Sequence, residues 1–519
     1  MAKPYDTLII GAGHNGLVVA AYLARAGRKV LVLERRAAVG GSVATEEFGA
    51  GFKADAVWMG GALRPDIVRG LKLSLPKITE KPAFTSLLGV SLSPSPASLS
   101  PTTTPTHLTL DADPARAAES IRRFSEKDAR KWPEFVAFMN KSAAMLDIVY
   151  ATLMPRLPRE FSLGEGSGLA EMALELRLMG RKDMLNLIRL LPMTAVEFLE
   201  EWFESERLKA AIGSLAIHGV TLGVMSAGTG YTLLHNWLNR GGLSNVNAGR
   251  AGDIPQALAR AVEAHGGEVR TEAEVSRIQV DAYTCRGVLL EGGEELLADH
   301  VVSSLDPKRT FLTLVGAVNL PPEFVWKVQS IKMRGSVAKV HLLTDGKHGL
   351  PDGTSVLAPS LKYLERAYDA AKYSEISERP YLEATTYGNV VSIHFQFAPY
   401  ALKNSDWKAE TARVESLAID ALSECVPHLK ASIVNTKCIT PLDLEAIYGL
   451  TEGDLNHGQL MLDQFLFMRP VPGWSNHKTP VDGLYLCGSG THGGGGVSGA
   501  AGRNAAKVVL GAKASPALK

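Results

Sequence analysis

Hydrophobic and polar positions near the start of the chain predict a parallel α/β unit. A short apolar run from Tyr5 to Ile10 has the length of a buried strand, and glycines follow it. An alanine-rich apolar stretch from about Leu17 to Ala26 predicts a helix that ends at Gly27, and Lys29 to Leu33 predicts a second strand. Strand, turn, helix and strand in this order form the right-handed crossover of a parallel sheet.

The rest of the chain alternates predicted helices and strands around a long helical stretch. Helical periodicity predominates from about Ala115 to Arg240, and a further helix is predicted to begin at Asp253, with Pro255 in its first turn. An apolar run from Gly483 to Cys487 predicts a last strand, before a closing helix that reaches about Leu510. Other strands are predicted at Glu268–Arg270, Val275–Val280, Lys339–Leu343 and Val391–Phe397.

Residues 93–106 depart from this pattern. Ser, Pro and Thr make up 12 of these 14 residues. Such a composition cannot bury enough apolar surface to fold, so a flexible loop is predicted there.

Length and charge narrow the classes of protein. The chain has 519 residues, more than one hydrophobic core usually supports, so at least two structural units are expected. Its 55 Lys and Arg balance 54 Asp and Glu, and the net charge of +1 argues against a nucleic-acid partner. The chain has no apolar run of about 18 residues, as a membrane span needs, and its first residues leave no room for a signal peptide.

Cysteine usage bears on the compartment and on metal binding. The four cysteines lie far apart, without a CxxC spacing. Their positions argue against a zinc site, a redox-active thiol pair and the disulfide framework of a secreted protein. A reducing, cytoplasmic compartment and no metal site are therefore expected.

The first glycine cluster, which we call the N-terminal glycine segment (residues 11–16), carries a dinucleotide-binding pattern. Gly11 allows a tight turn, Gly13 lets the backbone approach a pyrophosphate, and Gly16 permits close packing of the helix on the strand. The helix that follows offers unpaired N–H groups to the phosphates. Glu34, 21 residues after Gly13, ends the second strand and can accept hydrogen bonds from ribose hydroxyls.

A second pair of glycines extends this pattern and carries a family resemblance. Arg35 and Arg36 follow Glu34, and Gly40-Gly41 exposes further backbone amides beside the same phosphates. This arrangement resembles the FAD-dependent flavoprotein family of phytoene desaturases, carotene ketolases and, more distantly, amine oxidases. In that family the acid, the basic stretch and the double glycine select FAD over NAD, so FAD is the expected cofactor.

The second glycine cluster, the C-terminal glycine segment (residues 488–499), lies between a predicted strand and the closing helix. Eight of the 15 residues at 488–502 are glycine, which is costly to order and indicates close contact with a flat ligand. The segment resembles the C-terminal flavin motif of the same family, where the new helix directs its N-terminal dipole at the flavin pyrimidine edge. Gly493 stands where relatives carry proline, and Ser489 where many flavoenzymes carry an acid. Weaker anchoring of the ribityl chain is expected, without loss of FAD.

The resemblance covers most of the chain and implies an architecture. It is strongest for the branch with the carotene ketolases and the pyridine nucleotide-disulphide oxidoreductase domain-containing protein 2. It implies the α/β class: a discontinuous Rossmann-type FAD-binding domain and a mixed α+β substrate domain with a helical insertion. The FAD-binding domain is expected at 1–75, 241–310 and 476–519, and the substrate domain at 76–240 and 311–475.

Candidate site residues follow from the motifs and the resemblance. The resemblance implies that the Val275 backbone binds the adenine and that Trp58 lies beside the isoalloxazine ring, although a core tryptophan is an equal alternative. His218 and Arg469 are further candidates for proton chemistry. The candidate catalytic residues are His492, Tyr231, His235 and Trp58. The candidate cofactor-binding residues are Gly11, Gly13, His14, Asn15, Gly16, Glu34, Arg35, Gly40, Gly41, Ser42, Val275, Gly488, Ser489, Gly496, Val497 and Ser498.

These residues predict an FAD-dependent oxidoreductase. No second strand–GxGxxG–helix unit is visible, so a dedicated NAD(P)H domain is not expected. The expected reaction is a two-electron dehydrogenation in which a mainly apolar, isoprenoid-like substrate gives a hydride to the flavin. Three alternatives stay open: oxidation of an amine or small metabolite, a flavin-bound interaction protein with little turnover, and an isomerase that uses reduced FAD.

Two apolar stretches in the helical region could face a lipid or a partner. Ordinary core packing is the competing interpretation, and the functional one predicts peripheral membrane contact or a protein partner. The oligomeric state cannot be read from the sequence. The two stretches comprise Met145, Leu146, Ile148, Val149, Leu153 and Met154, and Leu185, Leu187, Ile188, Leu190, Leu191 and Met193.

Overall fold

The computed structural model of the chain describes most of its residues. Trp58 and the stretch at 93–106 lie outside the described residues, so the predictions made for them stay predictions. The described ranges are 5–49, 52–57, 60–76, 83–88, 107–156, 163–243 and 249–511.

Strands and helices alternate in the first and last parts of the chain, with a helix-rich part between them. The strands, in chain order, are β1 (Tyr5–Ile10), β2 (Val30–Leu33), β3 (Thr45–Glu47), β4 (Lys53–Asp55), β5 (Phe84–Leu87), β6 (His107–Leu110), β7 (Glu268–Arg270), β8 (Val275–Asp281), β9 (Thr284–Leu290), β10 (Glu295–Ser303), β11 (Val337–Thr344), β12 (Thr354–Leu357), β13 (Tyr381–Tyr387), β14 (Val390–Gln396), β15 (Ile433–Ile439) and β16 (Leu484–Leu486). The α-helices are α1 (His14–Arg25), α2 (Pro65–Gly70), α3 (Pro114–Arg122), α4 (Glu126–Ala151), α5 (Leu163–Leu178), α6 (Arg181–Leu190), α7 (Ala195–Trp202), α8 (Glu206–Ile217), α9 (Thr229–Asn239), α10 (Asp253–Ala264), α11 (Pro322–Gln329), α12 (Leu361–Lys372), α13 (Trp407–Ser423), α14 (Leu429–Ser432), α15 (Pro441–Tyr448) and α16 (Ala500–Leu510).

The first sheet brings the two ends of the chain together. Its parallel strands lie in the order β7-β2-β1-β10, and β10 also pairs with antiparallel β9 through its first residues and with parallel β16 through its last. Helices α10 and α16 pack on α1, which covers one face of the sheet. The other face packs in a second apolar core that includes Val288 and Phe311. Because both faces are covered, β2 is buried along its whole length and its sequence is a continuous apolar run.

The crossover from β1 to β2 forms as the sequence predicts, with one difference. Helix α1 begins at His14, inside the glycine segment, where a start near Leu17 is predicted. Gly13 is the residue before the helix and has extended angles, φ −68° and ψ 163°, so the first turn of α1 follows it directly. The glycine segment is therefore the N-terminus of the helix as well as the turn.

The second sheet has the order β15-β11-β14-β13-β12-β5-β6. Its pairs are antiparallel except for β12 with β5, which run parallel. One face, with residues such as Val340, Ile393 and Phe395, packs against Val414 and Leu422 of α13 in an apolar core. A parallel sheet and a mixed sheet with a helical insertion confirm the predicted α/β class, while the domain boundaries stay a prediction.

The helical insertion has its own apolar core between α3 and α9. Aromatic rings meet at its centre, where Phe135 lies 5.0 Å from Phe203 and 5.8 Å from Trp237 between ring centroids. Much of the two apolar stretches is core, as the competing interpretation requires: the buried members are Met145, Leu146, Val149, Met154, Leu187 and Leu190. Four large side chains of α5 and α6 are exposed, namely Leu174 (56%), Leu178 (68%), Leu185 (47%) and Ile188 (50%).

The described ranges contain neither a helix that could cross a membrane nor a cluster of metal-ligating side chains. None of the helices described here combines the length and the apolarity that a bilayer crossing requires. Within the same part of the chain, no group of three or more His, Cys, Asp or Glu side chains could hold a metal ion. The four cysteines are free thiols.

Candidate functional site

A cleft opens at the carboxyl ends of β1 and β2. It holds about 1210 Å³ of free space, part of it open to solvent. Parallel α/β sheets place their ligand sites at this edge. The predicted cofactor-binding residues that line the cleft are Gly11, Gly13, His14, Asn15, Glu34, Arg35, Gly40, Gly41, Ser42, Val275 and Ser489.

The N-terminus of α1 is open to this cleft. Gly13 provides no side-chain cap, and a Cβ built on it would meet nothing within 4 Å. Gly40 donates its amide to the carbonyl of Ala12 at 2.9 Å, which brings the second glycine pair alongside the first. The first amides of α1 therefore point at free space, as an anion-binding helix end requires.

Gly11 and Gly16 are required for packing. Gly11 has a φ of +90°, and a Cβ on Gly16 would lie 2.3 Å from the Gly11 carbonyl oxygen. Ser304, which directly follows β10, places its hydroxyl 2.9 Å from the Ile10 carbonyl and 3.0 Å from that of Gly11. No sequence motif points to Ser304, because its role depends on the pairing of β10 with β1.

Glu34 is a buried carboxylate at the end of β2. One oxygen accepts from the amide of Ala12 at 2.8 Å, and the other accepts from the amide of Arg36 at 3.0 Å. Each carboxylate oxygen keeps a second lone pair. Glu34 can therefore accept hydrogen bonds from ribose hydroxyls in the cleft while it holds the N-terminal glycine segment in place.

Two histidines face the cleft with buried ring nitrogens. Nε2 of His14 and Nδ1 of His457 have no hydrogen-bond partner among the described residues. Burial, and then the neighbouring His457, lowers the pKa of His14 to about 4, so its ring is neutral near pH 7. Open helix amides, a free glycine surface and unsatisfied ring nitrogens fit the diphosphate and polar chain of a dinucleotide such as FAD. His457 was missed because the sequence around it carries no motif.

The C-terminal glycine segment is buried except at Gly496 and Ser498, which are partly exposed, and Ser489 alone of its predicted residues lines the cleft described above. A Cβ on Gly488 would lie 2.5 Å from the Ser304 carbonyl oxygen, and one on Gly496 would lie 2.6 Å from Asn239 Oδ1. Val497 is 1% exposed within the apolar core around α1. The Ser498 carbonyl accepts from the amide of Arg64 at 3.0 Å.

The structure brings three of the four predicted catalytic residues near one tyrosine. The Tyr150 hydroxyl lies 3.0 Å from the Tyr231 hydroxyl and 2.7 Å from His235 Nδ1. The ring of His492 lies 6.4 Å from that of Tyr150, and its Nε2 is 3.0 Å from the Val149 carbonyl oxygen. Burial lowers the pKa of His235 to about 3 and that of His492 to about 4. Both rings are therefore neutral near pH 7.

Arg469 ties the C-terminal glycine segment to the loop before it. Its Nη2 donates to the carbonyls of Ser489 at 2.8 Å and of Asn456 at 2.6 Å. Burial lowers the pKa of this guanidinium, which is 3% exposed. These bonds occupy Arg469 with backbone carbonyls, so the arrangement shows a structural cation next to the glycine segment.

The second sheet carries a buried polar face opposite its apolar one. Arg240 of the helical insertion binds both oxygens of Glu383 at 2.9 and 2.6 Å, and His218 Nδ1 lies 3.3 Å from the same carboxylate. Lys339 of β11 is completely buried, and its Nζ has no hydrogen-bond partner among the described residues. Burial lowers its pKa to about 7. In the sequence, this face is visible as polar residues at alternate positions of β11 and β14.

The cleft, the open helix end and the two glycine segments fit a flavin-binding protein. A family comparison shows to which family of flavin-binding proteins the chain belongs. Residues 16–427 match the model of the flavin containing amine oxidoreductases. The chain belongs to this family. The family is FAD-dependent, so the protein is an FAD-dependent oxidoreductase and FAD is its cofactor. The expected resemblance is confirmed.

Full-length relatives support the predicted branch within the flavin-containing amine oxidoreductases. The pyridine nucleotide-disulfide oxidoreductase domain-containing protein 2 of Rattus norvegicus is 34% identical, over 98% of this chain and 94% of its own. One of the subunits of limonene dehydrogenase from Castellaniella defragrans is 28% identical, over 98% and 94%. Among solved structures, an oxidoreductase from Methanosarcina mazei has the same fold, with a TM-score of 0.59, 17% identity and coverage of 97% and 99%.

Proposed function

We propose that this oxidoreductase dehydrogenates a mainly apolar organic substrate of the isoprenoid class. Bound FAD supplies the two-electron acceptor for such a reaction. The observation that carries the proposal is a full-length likeness to part of a limonene dehydrogenase, combined with a dinucleotide cleft whose glycines and Glu34 are all in place. Limonene is an isoprenoid hydrocarbon, and its oxidation removes hydrogen from carbon.

Apolar and aromatic groups border the C-terminal glycine segment on the side of the helical insertion. The ring of Tyr231 lies 4.7 Å from that of Phe465, and a Cβ built on Gly495 would lie 3.6 Å from Leu460 Cδ2. An apolar substrate gains free energy from leaving water for such surroundings. These contacts support a substrate that is recognised mainly by its shape and apolar surface.

The charges of the polar sheet face argue against the alternative of an amine substrate. Glu383 is the carboxylate on this face, and Arg240 neutralises it through two hydrogen bonds. Lys339 adds a group that is cationic below its pKa of about 7. A second buried carboxylate, Asp55 of β4, acts on Lys339, so an ammonium substrate would compete with that lysine for its charge and would be repelled by the protonated amine.

Lys339 is the group we propose as the proton acceptor. A dehydrogenation that forms a C=C bond removes one hydride and one proton, so the proton needs a base. Lys339 is buried, and its Nζ forms no hydrogen bond with any described residue. Burial lowers its pKa to about 7, so the amine is mostly neutral above that pH. It lies two residues before His341 on the same face of β11, and His341 Nε2 lies 3.3 Å from the carbonyl oxygen of Ala56, 15 residues after the double glycine.

This role predicts a pH dependence. The rate of flavin reduction rises with pH through about 7, because the neutral amine is the active form. Lys339→Met removes this step and lowers the rate about 100-fold, the range of general base catalysis. Lys437→Met, which changes an exposed lysine on neighbouring β15, keeps both rate and profile. Anaerobic stopped-flow absorbance of the flavin measures this, and an unchanged profile in Lys339→Met contradicts the role.

The proposed function itself is tested by anaerobic reduction of the holoprotein. Limonene, a longer isoprenoid hydrocarbon, benzylamine and putrescine are offered separately, and loss of the oxidised flavin absorbance is followed. Mass spectrometry then asks whether the product has lost two hydrogens. Bleaching with a hydrocarbon and a product two mass units lighter are expected.

The other outcomes each overturn the proposal in a distinct way. Bleaching by the amines alone supports the amine oxidase alternative. A product of unchanged mass, formed only when the flavin is first reduced, identifies an isomerase. Absence of bleaching with every donor favours the interaction protein.

A further inference from the structure

We propose that Tyr150 and His235, two residues of the helical insertion, are positioning residues for FAD. They hold residues 493–496, which we call the glycine loop, in the conformation that the flavin needs. The helical insertion would then take part in cofactor binding as well as covering the site. Three groups of contacts lead to this inference.

The first group is a chain of buried hydrogen bonds. Asn239 Nδ2 donates to the His235 carbonyl at 2.9 Å and lies against the His235 ring, 3.2 Å from Nε2 and 3.5 Å from Nδ1. Nδ1 of His235 forms a hydrogen bond of 2.7 Å with the Tyr150 hydroxyl, which forms one of 3.0 Å with the Tyr231 hydroxyl. These bonds hold the side chains of Tyr150 and His235 in place.

The second group joins this chain to the glycine loop. A Cβ on Gly495 would lie 2.7 Å from His235 Cε1, and one on Gly496 would lie 2.6 Å from Asn239 Oδ1. Residues 235 and 239 are four apart in α9, so their side chains share one face of the helix. The loop backbone, with φ of +97° and +64° at these glycines, rests directly on that face.

The third group anchors both flanks of the glycine loop to the end of α4. The last carbonyls of a helix have no partner within it and must find one elsewhere. His492 Nε2 lies 3.0 Å from the Val149 carbonyl oxygen, and Asn504 Nδ2 donates to that of Tyr150 at 2.8 Å. His492 precedes the loop and Asn504 follows it, so α4 binds residues before and after the loop while α9 contacts the loop itself.

This arrangement has a consequence for the flavin. With FAD bound, backbone amides at the start of α16 would stabilise negative charge on the reduced flavin. If the glycine loop moves, these amides move with it. Loss of the Tyr150 or His235 hydrogen bond should therefore weaken FAD binding and lower the reduction potential together.

The test uses the holoprotein and three variants. Tyr150→Phe and His235→Gln each remove a bond of the chain. Tyr363→Phe is the matched control, since Tyr363 lies on α12, away from the glycine loop, and its hydroxyl donates to the Pro380 carbonyl at 2.9 Å. FAD release after dilution is followed by flavin fluorescence, and the midpoint potential by equilibration with a reference dye.

Tyr150→Phe and His235→Gln are expected to release FAD about tenfold faster and to lower the midpoint potential by about 30 mV, the two-electron equivalent of a factor of ten. Tyr363→Phe should change neither. The inference is overturned if, in both test variants, the FAD release rate stays within twofold of the parent and the midpoint potential stays within about 9 mV, the two-electron equivalent of a factor of two. An equal change in Tyr363→Phe also overturns it, because the effect would then be one of general stability. If His235→Gln does not fold, Tyr150→Phe decides.

Discussion

The N-terminal and the C-terminal glycine segments differ in what surrounds them. Gly13 faces free space in the cleft, and a Cβ there would meet nothing within 4 Å. Gly494 is enclosed, and a Cβ there would lie 2.1 Å from the Ser489 carbonyl oxygen. The first segment offers its backbone to a ligand, while the second is held by α4, α9 and α16. A glycine-rich sequence therefore leaves the backbone exposed to the cleft in the N-terminal segment and allows close backbone packing in the C-terminal one.

This difference teaches how to interpret glycine-rich motifs. The N-terminal segment has many of its partners within the first 41 residues, and its distant partners include Ser304 and Gly502. The C-terminal segment depends on residues far away in sequence, such as Tyr150, His235 and Asn239. A substitution at Gly13 should therefore affect FAD binding alone, whereas one in the C-terminal segment should affect both folding and FAD binding.

Gly494→Ala should have the largest effect. Its new methyl group would meet backbone atoms of Ser489 that cannot move without displacing the whole segment. Overpacking of this kind costs about 1–3 kcal/mol of stability. Thermal unfolding of the apoprotein should detect the loss, and FAD binding should fall at least 100-fold by titration. A variant with parental stability would show that the segment is looser than its packing indicates.

Gly13→Ala should leave the fold intact and weaken FAD binding. The φ of −68° suits alanine, and the methyl group enters free space in the cleft, where a pyrophosphate must approach. We expect affinity to fall about 30-fold, or about 2 kcal/mol, with apoprotein stability unchanged within about 0.5 kcal/mol. Gly292→Ala, which also meets no atoms within 4 Å but lies in a turn between β9 and β10, is the control. Equal FAD affinity in both variants would exclude a close approach at Gly13.

The slope of stability against pH should be the smallest effect, about 1 kcal/mol per pH unit for each segment, and similar for the two. Each contributes one buried histidine, His14 and His492, and burial lowers the pKa of each to about 4. Each ring takes up its proton near pH 6.5 in the unfolded chain but only near pH 4 in the folded one. Lowering the pH from about 6.5 to 4 therefore lowers the free energy of unfolding, by about 1 kcal/mol per pH unit for each ring. Urea unfolding at several pH values should show a shallower slope for His492→Gln, and a parental slope would contradict the assignment.

Much of the site could be predicted from local sequence. The crossover with its glycines and Glu34 is read from consecutive residues, and most of these line the cleft. Helix α10 begins at Asp253 as predicted, because a proline in its first turn marks the start. Tyr231 and His235 were selected as isolated candidates, but the residue that joins them, Tyr150, lies 81 and 85 positions away from them and carries no motif.

The sequence by itself determined the FAD-binding crossover, the α/β class and the position of the helical insertion. These depend on periodicity and on glycines whose role is set within a few residues, so neighbours along the chain suffice to specify them. Only the tertiary structure decided that β16 joins β10, that the insertion encloses the C-terminal glycine segment, and that Lys339 is buried opposite Glu383 and Arg240. Burial, hydrogen-bond pairing and pKa depend on what packs around a side chain, and distant parts of the chain supply that environment.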